Sequence, residues 1–538
     1  MLIKMSEFFI NYIIIYFTSC ITILGYGYLL INLSKNTNLE FNLGEIGIIG
    51  VLFASIYSRL SHIFIPHGYV HNVLFLLIGL FFFFYFFRKN FKKDFIVLII
   101  IFVILFISFP TFKSHDDFPY YHFPYTYYLT QYPNLYGLGN LNHGFRTPSS
   151  IFYINSLFYL PFFSYYLFNL AAVLILGFFN LSIILKIINI FKKKVINQQI
   201  YFLISILIFV NIFFYRIPEH GTDRSAQILI SILFFEYFLM IINKSNIFLS
   251  VKKILIYISL IISFKSFYVL YVIFIPGLIY FLYDKNNLFI FKNFFKLKDF
   301  YFNLFLLSFL LTIFGNFSNT GCLLYPISFT CFDNFSWSIP VDQVEKMQMW
   351  YEQWSKAGAT PNFRVENPEI YIQKFNWVSN WIDMYFFNKF SDFLLGLLFI
   401  LTMMLSFFYK RKKDKILINN HYVIFYICIL ILFFEWFYNH PSLRYGGFVL
   451  VFSIIFLPLN TFLSAIRSNR ESLKVKSILL IFIVALVFEV RNIHRLNKEF
   501  KNYNYNFVKN FKYHVDENYF RIDKAIKLKI NDKRIIKN

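Results

Sequence analysis

Apolar residues fall in long runs separated by short polar gaps, and most runs reach the roughly 17 to 25 residues that a helix needs to cross a hydrocarbon layer. Only helices and closed barrels satisfy their own backbone groups in lipid. The pattern therefore predicts an all-α fold, a polytopic transmembrane helix bundle of about 13–14 spans. The runs lie near 8–32, 44–65, 68–87, 95–111, 165–190, 200–215, 225–242, 254–265, 266–283, 300–316, 386–409, 421–438, 446–466 and 477–490. The pair 254–265 and 266–283 is short, with Lys265 at its centre, and reads as two half-helices or a shallow re-entrant feature.

Basic clusters punctuate the runs: Arg88/Lys89/Lys92/Lys93, Lys192 to Lys194, Lys252/Lys253, Lys292/Lys296/Lys298, Lys410 to Lys415, and Arg467/Arg470/Lys474/Lys476. Each interval between clusters holds two runs, so parity puts the clusters on one face, the cytoplasmic one by the positive-inside rule. Four segments then share the opposite face: 112–150, 216–224, 317–385 and 439–445. The division expected is a bundle over 1–490 with two large extracytoplasmic loops, an acidic one (112–150) and a Trp-rich one (317–385), followed by a basic tail, 491–538. The charge of the tail points to the cytoplasm, whereas parity places it with the acidic loop.

Composition agrees: 58% of the residues are hydrophobic and only 15% charged, against about 25% charged in soluble proteins. The 78 Phe and 40 Tyr act largely as apolar filler. The net charge of +23 lies in membrane-loop clusters, which argues against a nucleic-acid partner. The N-terminal run leads into further spans without a small-residue cleavage site, as an anchor does. Of four Cys, Cys20 and Cys428 fall in apolar runs. Cys322 and Cys331 share the second large loop and are expected to form a structural disulfide on an oxidising face.

Candidate chemistry concentrates in the loops. Asp116 and Asp117 follow directly on the run 95–111, beside His115, with His122, His143 and Arg146 beyond. A carboxylate at that depth can take a proton from a hydroxyl nucleophile; the plainer alternative is solvated acids or helix N-caps. A divalent cation, Mg or Mn, would find ligands in His115, Asp116, Asp117 and His122, although the chemistry does not require one. RIPEHGTDR offers Glu219, His220, Asp223 and Arg224, or simply a polar turn capped by Asp223. NHPSLRYGG offers His440 and Arg444, an arginine that can grip a phosphate or snorkel. Lys265 needs a partner, either an anionic lipid phosphate or an acid such as Asp223, because a buried charge costs about 2.5 kcal/mol or more in a bilayer. Five of six Trp (Trp337, Trp350, Trp354, Trp377, Trp381) lie in the second loop and suit an interfacial belt, or stacking on sugar rings. There is no GxxxxGK[ST], Gly-rich Rossmann turn or HExxH.

An acidic loop just after a span, in a many-span protein with no nucleotide site, resembles the C-type (GT-C) glycosyltransferase superfamily. More narrowly, the segment DDFPYYHFPYTYYLTQYPNLYGLGNLNHGF is similar to a bacterial group of polytopic proteins with a D-x-x-x-YH…GLGNL…GF motif. The match runs through Asp117, Tyr121, His122, Gly137, Leu138, Gly139, Asn140, Leu141, Gly144 and Phe145. It continues in GTD at Asp223, FKSF at Lys265, LLYP at Tyr325 and Pro326, and LRYG at Arg444. More spans precede the acidic loop here than the single one of the simplest C-type layout.

The resemblance implies a glycosyltransferase of the bacterial inner membrane, multi-pass, with its active face extracytoplasmic. It would move a sugar from a polyprenyl-phosphate donor to a cell-surface glycan, lipid or protein acceptor among the membrane lipids. Asp116 or Asp117 would be the base, and His122, Asn140, Arg146, Asp223, Lys265 and Arg444 would bind substrate and phosphate. Two alternatives remain: an O-antigen polymerase or ligase, relying on Arg and His contacts to a diphosphate, and a transporter or flippase for lipid-linked glycans. Carriers place ionisable residues at mid-membrane in paired repeats. Lys265, Glu435 and Glu489 fit that, and no repeat is visible.

Overall fold

The computed structural model describes residues 7–34, 40–87, 92–192, 199–242, 247–284, 299–360, 365–410, 420–466, 469–532 and 534–537. The chain is an all-α, multi-pass membrane protein, and among the described residues eleven helices are long and apolar enough to cross a bilayer. Eleven of the apolar runs correspond to them. The runs 95–111 and 200–215 become the shorter helices Lys92–Phe106 and Gln199–Phe213, and 477–490 is the apolar middle of the 34-residue helix Arg470–Tyr503. Of the basic clusters, Arg88, Lys89, Lys193, Lys194, Lys292, Lys296, Lys298, the lysines and arginine of 411–415, and Arg467 lie outside the described residues.

Close helix contact depends on small residues. A Cβ on Gly25 would stand 1.8 Å from the Gly79 carbonyl oxygen, so these two helices meet backbone to backbone.

Two expectations need correction. Ile247–Phe264 is a full helix, so Lys252 and Lys253 lie within it and not in a loop. Both are buried, because acids wait for them: Lys253 Nζ donates to Glu45 Oε1 at 2.6 Å, and Lys252 stands 3.7 Å from Asp299. Second, the two segments around Lys265 are not half-helices: Ile247–Phe264 and Ser266–Tyr283 are each long and apolar enough to cross a bilayer, and Lys265 stands between them as the pattern expects. It is an extended residue (φ −156°) between that helix and a 3-10 stretch, Ser266–Ile273, which leads into helix Phe274–Asp284.

The basic tail 491–538 packs back on the bundle. Helix Arg470–Tyr503 runs on past the apolar stretch, and Glu499 accepts the Phe112 amide at 3.1 Å. Phe511 then stacks on Tyr12, and Ile522 and Ile526 pack with Tyr125, Tyr128 and Leu129. The strand Ile536–Lys537 pairs antiparallel with Leu135–Tyr136 inside the acidic loop. The packing thus places the tail where parity does, at the end of the bundle that carries the acidic loop.

Candidate functional site

The four loops assigned by parity to one face converge at one end of the bundle. Each brings its functional side chain there by a local device. Asp117 begins a wide turn, Phe118–His122, in which Pro119 takes the first positions, and the turn flows into helix Phe123–Gln131. Helix Ile217–Ile242 is kinked at Gly221 (φ 24°, ψ −77°), a conformation that favours glycine. The kink separates the RIPEH turn from Asp223. Arg444 lies in a 3-10 turn, Leu443–Tyr445, that Gly446 closes at φ 102° before helix Gly447–Ser464.

At the centre, Arg444 joins two carboxylates. Its Nε donates to Asp223 at 2.7 Å, its Nη2 pairs with Asp117 at 2.6 Å, and the same nitrogen donates to the Tyr121 hydroxyl at 3.1 Å. Lys265 Nζ pairs with the other oxygen of Asp223. Gln227, one helical turn after Asp223 and so on the same face, holds the backbone of the arginine: its amide donates to the Leu443 and Arg444 carbonyls and accepts from Val449 N. One helix face therefore fixes both ends of Arg444. Trp354 roofs the guanidinium, with Cζ 5.9 Å from the ring centroid, and packs edge-on against Tyr445.

The charge sum is two carboxylates against two cations. Burial works to raise the Asp117 carboxyl, but Arg444, then His122 and His115, more than offset it and hold it below the usual carboxylate range. Burial keeps His115 neutral at physiological pH and pushes His122 down to about 3.

Asp117, Asp223, Lys265 and Arg444 are thus brought together, and of the partners offered for Lys265 the acid is the one observed. Asp116 is not part of the cluster; it is exposed at the rim. His122 turns inward against Phe152, its Nε2 buried without a hydrogen-bond partner. His115, Asp116, Asp117 and His122 do not form a ligand set, and no group of three or more His, Cys, Asp or Glu able to hold a metal ion occurs among the described residues.

Asn140 is a clasp: its amide donates to the carbonyls of Gly137, Trp337 and Arg534, joining both large loops and the C-terminal segment. Arg146 follows by two positions Gly144, which the Tyr121 ring abuts. Its Nε donates to Gly139 O and its Nη1 to the Tyr325 hydroxyl at 2.9 Å, and no carboxylate pairs with it among the described residues.

Cys322 and Cys331 are bonded, and the disulfide packs with Tyr325, Ile339 and Val344 beneath Tyr351. Trp337, Trp377 and Trp381 are buried in protein contacts, while Trp350 and Trp354 line the underside of helix Val341–Lys356, facing His143 and Arg444. Sequence reasoning placed Tyr121 in the D-x-x-x-YH motif and Tyr445 in LRYG without giving either a role, and it missed Gln227. Gln227 is one of the few polar residues in the run 225–242, the signal that could have marked it.

Residues 8–452 match the profile of a family described as a domain of unknown function, DUF8201. The chain belongs to that family. No curated protein and no solved structure shows significant similarity. The matched region includes Asp117, Asp223, Lys265 and Arg444 and stops short of the C-terminal segment that straps the acidic loop.

Proposed function

We propose that this DUF8201 member is a membrane glycosyltransferase that takes a sugar from a polyprenyl-phosphate donor at the extracytoplasmic face of the bacterial inner membrane. The observation that carries the reading is a partly open carboxylate, Asp117, held by Arg444, in the same loop as Arg146, a guanidinium that no carboxylate pairs with among the described residues and that lies two positions after the glycine, Gly144, on which the Tyr121 ring packs. Asp117 stays ionised at neutral pH, the state a general base needs, and would accept the proton of an acceptor hydroxyl. The hydroxyl oxygen attacks the anomeric carbon, the bond from that carbon to the phosphate oxygen breaks, and polyprenyl phosphate departs with the bonding electrons. Fixed cations beside that oxygen stabilise the charge that develops on it.

Arg444 and Lys265 are already balanced by Asp117 and Asp223, so the net positive charge for a leaving phosphate comes from Arg146. Lys265, the residue that best suited a carrier, has its charge answered by Asp223, which weakens the transporter reading. The disulfide supports an oxidising face.

The test is sugar transfer by purified protein in liposomes with a panel of polyprenyl-phosphate sugars, comparing wild type with Asp117→Asn, Asp116→Asn and Arg146→Ala. Transfer abolished by Asp117→Asn, retained in Asp116→Asn and weakened by Arg146→Ala is the expected result. Transfer indifferent to Asp117→Asn would remove the base from the mechanism.

A further inference from the structure

Arg59 is the strongest unexplained group outside the site. It lies within the membrane-crossing helix Leu43–Phe64, is 5% exposed, and pairs with no carboxylate among the described residues. Such a charge is costly in a bilayer protein and calls for a reason. Its donors go to three separate elements. Nε donates to Ser150 Oγ at 2.6 Å, Nη2 to Pro148 O at 3.0 Å and to Ser263 O at 3.2 Å, and Nη1 to Leu311 O at 3.4 Å. The guanidinium also lies 4.7 Å from the Tyr153 ring centroid.

Two of these acceptors flank site residues. Pro148 follows Arg146 by two positions, and Ser263 precedes Lys265 by two. Ser263 O belongs to the last turn of helix Ile247–Phe264, where carbonyls lack intrahelical partners and the helix dipole favours a cation. That accounts for a buried charge without a counter-ion. Gly315 makes the contact with helix Phe300–Thr320 feasible, since a Cβ there would stand 2.7 Å from Arg59 Nη1. From the other side, Asn319 on the same helix donates to Phe145 O at 2.7 Å, so the backbone around Arg146 is held at both flanks.

We infer that Arg59 is a positioning residue: its planar fork fixes the Arg146 loop relative to the end of the helix that delivers Lys265, and so sets the spacing between the un-neutralised cation and the Asp117–Arg444–Asp223–Lys265 cluster. Only arginine offers five N–H donors in one plane. Glutamine offers two, and lysine three from a single point, so neither can serve four acceptors on three elements.

The test is a distance measured in the full chain. Spin labels at Thr147→Cys and Leu270→Cys, in a Cys20→Ser/Cys428→Ser background, report the separation of the two segments by pulsed electron resonance in nanodiscs. The expected result is a single narrow distribution in the parent, a broadened or shifted one in Arg59→Gln, no restoration in Arg59→Lys, and an intermediate effect in Gly315→Ala, which keeps the guanidinium but crowds it. An unchanged distribution in Arg59→Gln overturns the inference, whatever the variant does to the melting temperature. Restoration by Arg59→Lys overturns the role of the fork. Should Arg59→Gln fail to fold, Gly315→Ala decides by the same criterion.

A second arm rests on the transferase reading: with a working donor, kcat in Arg59→Gln should fall by up to about 10²-fold, the scale of a roughly 1 Å misplacement. The distance arm is independent of that reading, so the two can fail separately.

Discussion

The two helices Ile217–Ile242 and Ile247–Phe264 carry a charge cluster at each end, and the clusters have the same inventory. At the loop end, Asp117 and Asp223 meet Arg444 and Lys265. Toward the other end, Glu45 and Glu236 meet Lys186 and Lys253: Lys186 pairs with both acids, 2.7 Å from Glu236, and Lys253 lies 2.6 Å from Glu45. Lys253 and Lys265 are twelve residues apart, about 18 Å of helical rise. The difference lies in access. Glu45 and Glu236 are 3% and 2% exposed, whereas Asp117 and Arg444 are 24% and 29% exposed. The sealed cluster ties helices together and has no face left for a ligand. The open one keeps an edge of each central partner free, and it lies against Tyr121, Trp354 and Tyr445. Equal charge arithmetic thus serves structure in one place and leaves chemistry available in the other.

The sharpest way to break the comparison is to remove one acid from each cluster. Asp117→Asn should lower transfer by about 10² to 10⁴-fold, the usual worth of a general base. It should shift the unfolding midpoint only slightly, because Asp223 still answers Arg444. Glu45→Gln should do the reverse. It strands Lys253 and leaves Lys186 to Glu236 alone, and breaking a buried pair by removing one partner costs about 3–5 kcal/mol. Chemical unfolding in mild detergent should show that loss, while the protein that remains folded keeps its transfer rate. Equal destabilisation by the two substitutions would mean that the loop-end cluster is as structural as its counterpart.

The spans were legible because a run of apolar residues long enough to cross a bilayer, repeated many times in one chain, exceeds what a water-exposed surface or a single soluble core can hold. Asp117, Asp223, Lys265 and Arg444 were each legible as polar residues at span ends, and the disulfide as two cysteines in one loop. The pairing was not. Arg444 and Asp223 are 221 residues apart, and nothing local says that one receives the other. Arg59, Glu45 and Glu236 give the same signal as Lys265, a charge within or at the edge of an apolar run. Only the charge that visibly interrupts a run stands out in the pattern. Lys252 and Lys253 were misplaced for the complementary reason: two lysines resemble a loop cluster until the acids that admit them to a helix, Asp299 and Glu45, are known. Asn140 sits in the most motif-like segment of the loop, yet motif density does not distinguish a clasp from a ligand contact.

The most gradual effect concerns pH, and it separates the clusters once more. Burial depresses His122 to about 3, and His115 and His143 in the same loop are also depressed, burial being the leading cause for each. Unfolded histidine takes up its proton near 6.5. Below that pH the unfolded loop binds protons that the folded loop refuses, so stability falls with acidification. For His122 the window runs from about 6.5 down to its folded value of about 3, and the loss is at most about 1.4 kcal/mol per pH unit. Asp117 has the opposite origin but the same direction, and its contribution is lost only lower, as pH falls below the ordinary carboxylate range. Acidification should therefore loosen the loop 112–150 in two stages, the histidines first. Hydrogen exchange of the Phe118–Gln131 amides between pH 7 and 4, compared with amides around Glu45, reads this directly. His122→Gln should flatten the first stage. Parallel loss of protection at both ends of the bundle would show that the loop-end cluster does not open on its own, and that the exposure of Asp117 and Arg444 is not a separate property of that end.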